Sequence, residues 1–270
     1  MPTEPGGGRR RRVSLALALI ALLAGGFGPP GPSRPAAAPL RAATAVGALY
    51  ERILDADFDA VAADLRACAD LPREACDVLE ATQIWWRLLL DPDSRALDAP
   101  FEQAVERAIA SGEAWTVREP GRAEAWFYLG AAYGARVQWR VLRVERLAAA
   151  RDGKRIKTAL ERALELDPTL EDANFGIGLY QYYADVAPAA LRFLRVLLLL
   201  PGGDKAEGLA RMLRTRERGQ VLRSEAEYQL HVIDLWYEQQ FDRALERLRG
   251  LERQHPRNPL FTQLIAEVQD

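Results

Sequence analysis

Residues that could do chemistry are few in this chain, so each can be weighed. Tyr228, His231 and Asp234 stand three residues apart in "YQLHVID". On a helix that spacing gathers them on one face, the arrangement an acid–base pair needs. No nucleophile is identifiable beside them, and the plainer role for His231 is a hydrogen bond between helices. Asp55, Asp57 and Asp59 alternate like the opening of a calcium loop. The pattern then breaks, with Ala60 where glycine is required and Arg66 where the bidentate glutamate belongs. A helix-starting acidic cluster is the simpler account. The chain contains no G-x-S-x-G, H-E-x-x-H, phosphate-binding loop or dinucleotide glycine fingerprint. We therefore expect a non-enzymatic protein with no cofactor and no metal.

The two cysteines, Cys68 and Cys76, flank Pro72 in "CADLPREAC". Proline interrupts the helical pattern, so one cysteine should end a helix and the other begin the next. In an oxidising compartment they would form a disulfide stapling a helical hairpin; two free thiols are the alternative. Two stripes of arginine come next. Residues 136–157 hold eight basic residues against Glu145 and Asp152. Within that stretch Arg136, Arg140 and Arg143 share a helical face, with Trp139 close by. The second stripe is Arg211, Arg214, Arg216, Arg218 and Arg223. Such stripes hold a carboxylate or phosphate, or they pair with acids on neighbouring helices.

The elements that must carry these residues are helices. Hydrophobic residues make up 49% and charged residues 27% of the 270 positions, and Ala, Leu, Arg and Glu dominate. A formal net charge of −2 offers no field for nucleic acid, which we do not expect as a partner. In "AEAWFYLGAAY", Trp126, Leu129, Gly130 and Tyr133 recur at offsets of three, four and seven, one face of a helix. Gly130 would let a partner helix approach closely. Ala159, Ala163, Leu166 and Pro168 follow as the small, large and closing positions of a second helix.

Together these residues resemble the tetratricopeptide repeat. Tyr228, Val232, Leu235, Ala244, Leu248 and Pro256 form a second copy, with His231 in the usual leucine place. A third, weaker copy has Asn174, Ile177-Gly178, Ala190, Leu194 and Pro201. Trp126 and Pro168 are further apart than a standard repeat allows. We expect an overlong first helix running to about Ala149 and a turn at Asp152-Gly153. Phe58, Val61 and Leu65, then Ile84, Trp85, Leu88 and Leu89, then Phe101, Val105 and Ala108 mark earlier helices.

The expected fold is all-α, an α-solenoid of about a dozen helices. Residues 1–45 read as a signal peptide and Pro/Gly-rich linker: Arg9 to Arg12 precede the apolar "VSLALALIALL", too short to span a bilayer comfortably. An uncleaved anchor is the alternative. Residues 46–121 read as degenerate hairpins, 122–258 as repeats with insertions and 259–270 as a capping helix. The resemblance implies a scaffold or adaptor that binds protein or peptide segments along a concave face, and the leader implies export to the periplasm or envelope. On that face we place Arg136, Trp139, Arg140, Arg143, Tyr180 and Tyr183. The alternative is a periplasmic protein of this repeat type, associated with a transporter, that binds a small anionic or apolar ligand. The apolar stretch 187–200 is read as a helix, either central and buried or facing a ligand or membrane, so a peripheral membrane contact also stays open.

Overall fold

The computed structural model describes residues 40–187 and 201–269. Of the leader and linker read at residues 1–45, residues 1–39 lie outside the described residues, as does most of the apolar stretch, residues 188–200; Ala43 already belongs to the first helix. Within them the secondary structure is entirely helical: α1 (Ala43–Leu54), α2 (Phe58–Ala67), α3 (Arg73–Leu88), α4 (Asp98–Arg118), α5 (Ala123–Leu142), α6 (Arg146–Leu166), α7 (Ala173–Val186), α8 (Lys205–Arg218), α9 (Arg223–Trp236), α10 (Phe241–Gln254) and α11 (Pro259–Gln269).

Local chemistry sets many of the boundaries. Pro72 is the residue before α3, and Pro259 occupies the first turn of α11, where its missing N–H is no loss. The Asp204 carboxylate accepts from the Glu207 amide at 3.0 Å and caps α8. Asp172 caps another helix from a distance. Its buried carboxylate accepts from the amides of Gln220, Val221 and Leu222 at 2.8–3.0 Å, covering the start of α9. On α10, Ala244, Arg247, Leu248 and Leu251 recur at helical spacing and form its buried face.

Successive helices pack against one another, and α3 also packs on α1 and α5. Close approach depends on glycine at two crossings. A Cβ at Gly130 would lie 2.5 Å from Leu160 Cδ2, so the leucine of α6 fills that notch. A Cβ at Gly178 would lie 2.7 Å from the Gly208 carbonyl oxygen, so α7 and α8 cross backbone to backbone.

One boundary differs from expectation. The α5–α6 turn falls at residues 143–145, not at Asp152-Gly153, and α6 runs straight through that pair. Asp152 is buried as the acceptor for arginines of α5, a role that needs a helix beneath it, and Gly153 faces the Tyr180 ring. The Ala190 and Leu194 chosen from repeat spacing lie outside the described residues; beyond them α8 begins at Lys205 and packs on α7.

The C-terminal helices return to the N-terminal ones. Trp86 on α3 meets Tyr228 on α9 and Phe261 on α11, with ring centroids 4.8 and 6.1 Å apart. Tyr50 Oη donates to Glu225 at 2.8 Å, and Ser224 Oγ donates to Glu51 at 3.0 Å. Asn258 Nδ2 donates to the Leu54 carbonyl at 2.7 Å, and Arg257 pairs with Asp55 at 2.6 Å. The inward sides of α1, α3 and α9 therefore face one another directly.

Candidate functional site

Asp152 is the centre of the α5–α6 hairpin. It is 0% exposed. Arg136 grips both its oxygens at 2.8 and 2.9 Å, and Arg140 and Arg155 add further bonds. Arg136 also reaches Glu106 on α4 and lies over the Tyr133 ring, 5.1 Å from its centroid. Burial and the bond to Glu113 push the Tyr133 hydroxyl up to about 12. One turn further on, Arg143 pairs with Asp98 at 2.7 Å and donates to the Pro92 and Ser94 carbonyls. The Trp139 indole N–H donates to the same Asp98.

The six residues assigned to a concave face are thus distributed otherwise. Arg136, Trp139, Arg140 and Arg143 are brought together, but they face α4 and α6 and their donors serve internal acids. Tyr180 donates to the Pro201 carbonyl at 2.8 Å, and Tyr183 packs edge-on against Tyr182 and Tyr237. Both sit on α7, at a different hairpin. In the second basic stripe Arg211 pairs with Glu207, Arg214 with Glu171 and Arg216 with Glu227, while Arg223 donates to the Arg216 and Glu217 carbonyls. Arg214–Glu171 spans 43 residues and nothing local announces it, whereas Arg211–Glu207 is an i, i+4 pair on one helix.

His231 and Asp234 do not meet. His231 Nδ1 donates to the Tyr228 carbonyl, while Asp234 receives Arg247 at 2.6 Å and Arg243 at 3.4 Å. Burial and then the nearby Arg247 charge hold the His231 pKa down at about 4, so the ring is neutral. Asp55 and Asp57 are likewise engaged by Arg257 and Arg52. Among the described residues no cluster of ligating side chains suits a metal ion. Cys68 and Cys76 are joined in a disulfide across the α2–α3 turn, with Cα atoms 6.0 Å apart.

Two clefts of about 300 and 330 Å³ open on the surface, one beside Leu65, Arg66, Gln83 and Ile84, the other beside Glu51, Asp55 and His255. Neither touches the arginine web of α5–α6, the tyrosines of α7 or His231.

What remains exposed and apolar lies mostly at hairpin tips. At the α5–α6 turn Val141, Val144 and Leu147 are 63, 65 and 43% exposed. Val144 has φ 65°, a left-handed conformation that a β-branched side chain rarely adopts. The bonds from the Val144 amide to Val141 and from the Glu145 amide to Arg140 make this a Schellman turn, in which glycine is the usual residue. At the α9–α10 turn Trp236, Tyr237 and Phe241 are 74, 49 and 54% exposed. Helix alternation puts both turns at the same edge of the helical array. The sequence signal was a β-branched residue in one turn and "WYEQQF" in the other, and reasoning from helical faces passed over both.

Comparison of the chain with protein-family models, curated proteins and solved structures finds no match in any of the three.

Proposed function

We propose that this chain is a non-enzymatic adaptor, an α-solenoid of tetratricopeptide-like hairpins, that holds an apolar segment of a partner protein on the α5–α6 tip at the cell envelope. The observation that carries the proposal is Val144. A valine at φ 65° costs about 1–2 kcal/mol where glycine would be at ease. Its side chain contributes little to the interior, because it is exposed together with Val141 and Leu147. Strain held in an exposed apolar residue is explained by an external contact. The arginine network beneath has a matching role: Arg140 and Arg143 fix the turn, so the three side chains are presented in one arrangement. The Cys68–Cys76 bond supports an oxidising compartment, in keeping with the Arg-rich, apolar leader.

The test is a photo-crosslinking amino acid placed at position 144 in the full exported chain. A discrete adduct with one envelope protein is expected from position 144 and not from Arg162, on the surface of α6. The partner, once purified, should bind Val144→Asp at least about tenfold more weakly than the wild type. Adducts that are absent or equal at both positions would overturn the proposal, as would binding indifferent to Val144→Asp.

A further inference from the structure

We propose that the cleft between α2 and α3 is a binding site for a small monocarboxylate with an apolar chain. The site goes beyond the protein contact assigned to α5–α6 and rests on other residues. Helix α2 presents Ala62, Leu65 and Arg66 to the cleft, and α3 presents Glu80, Gln83 and Ile84. Each triplet has the spacing i, i+3, i+4, one face of a helix. Arg73, two turns before Glu80, completes the lining. The volume of about 300 Å³ stands at the lower end for small-molecule sites.

Gln83 supplies the observation that points to a ligand. It is 5% exposed and lines the cleft. Among the described residues no group donates to its carboxamide oxygen or accepts from its nitrogen. A buried carboxamide is normally hydrogen-bonded, because the water it gives up on folding has to be replaced. Gln229, also buried, follows that rule and donates to Gln138 and Glu225. Gln83 keeps its hydrogen bonds for what enters the cleft.

Charge selects the sign of that occupant. Of the charged groups in the lining, Arg73 is paired with Asp77 at 3.1 Å and Glu80 with Arg107 at 2.8 Å. Arg66 has no acid at ion-pair distance among the described residues. The other acids of α2 are engaged elsewhere, Asp64 by Arg52 at 2.6 Å and Asp59 by Arg87 at 3.5 Å. One unpaired guanidinium suits one carboxylate, which it can hold by two parallel bonds. Ala62, Leu65 and Ile84 line the rest with carbon, a wall for an alkyl chain. The two helices are pinned on either side of the site. The Cys68–Cys76 disulfide joins them at one end and the Arg87–Asp59 pair at the other. A cleft whose width is fixed in advance loses little freedom when it is filled.

The experiment is calorimetric titration of the full chain, disulfide intact, with isocaproate, isocaproamide and acetate. Isocaproate should bind. The amide lacks the charge and acetate lacks the chain, so each should bind at least about tenfold more weakly. Arg66→Gln should erase the preference for the acid over the amide. Arg66 is exposed, so this variant should keep the wild-type circular dichroism. Gln83→Met retains the bulk of the side chain without its hydrogen bonds. It should weaken isocaproate binding and leave thermal stability at or above that of the wild type. Four outcomes overturn the proposal: no binding of isocaproate, isocaproamide bound as tightly as the acid, isocaproate binding that neither variant changes, or a Gln83→Met variant that loses stability but not binding. The last would show that Gln83 serves the fold and not a ligand.

Discussion

The α5–α6 and α9–α10 hairpins use the same bond in opposite senses. In the first, arginines of the leading helix reach Asp152 on the following one; in the second, Asp234 of the leading helix receives Arg247 and Arg243 from the following one. Their other buried polar groups differ. The first hairpin is a web of charges, whereas the second also encloses a neutral imidazole, His231. Their tips differ as well, aliphatic against aromatic. The comparison separates two ways of bracing a turn. A buried charge web is rigid but fails when one member is lost. A neutral buried group is cheaper to enclose but becomes a liability when it takes up a proton.

The largest effect should come from Asp152→Ala. Arg136 and Arg140 would keep their charges in a largely buried site without the acid they share, a loss of about 3–5 kcal/mol in urea unfolding. A loss below 1 kcal/mol would show that Glu106 and Glu145 suffice and that the web is not what braces the turn.

Acid should strike the other hairpin next. The His231 pKa is lowered in the folded state from 6.5 to about 4. The folded protein therefore resists the proton that the unfolded chain accepts. The stability linked to this group is fully present above pH 6.5 and drains away as pH falls towards 4, about 3 kcal/mol in all. Burial of Glu225 and Glu51 raises their pKa values, which acts in the opposite direction. The His231 share is read from the difference between wild type and His231→Gln at pH 7 and pH 4.5. Equal pH slopes for the two would refute it.

The α2–α3 hairpin sharpens the contrast because it is braced covalently. Cys68→Ser with Cys76→Ser should cost about 2–3 kcal/mol, the closure entropy of a short loop, measured against wild type without reductant. Full thiol labelling of unreduced wild type would remove the premise.

Val144→Gly should stabilise the fold by about 1 kcal/mol, since glycine relieves the left-handed strain. The same substitution should weaken partner capture. A variant both less stable and equally active would argue that the strain has no external role. The smallest effect belongs to Trp236→Ser, within about 0.5 kcal/mol of wild type in urea, because the ring is mostly in solvent.

Much of this architecture is legible in the chain itself because it is local. The offsets around Trp126 place Gly130 at a helix crossing, and Leu160 fills the notch. Cys68 and Cys76 flank a proline turn and bond across it. The Tyr228–Pro256 stretch divides into α9 and α10 at the turn that its spacing suggests. The misplacement of the α5–α6 turn has an equally local cause. Asp-Gly is a strong turn signal, whereas the actual turn uses Val144, a residue that propensity disfavours there.

What no local pattern contains is the destination of a charge. Arg136 finds Glu106 thirty residues back, Arg143 finds Asp98 forty-five residues back, and Tyr50 finds Glu225 across 175 residues. Helix periodicity and the cysteine pair follow from contacts between near neighbours in the chain, so the amino-acid order by itself determined them. Which arginines are neutralised, which inward faces meet, and which turns keep their apolar side chains in water were decided only when distant helices packed. Coulomb attraction and burial depend on separation in space, and the order of residues does not state that separation.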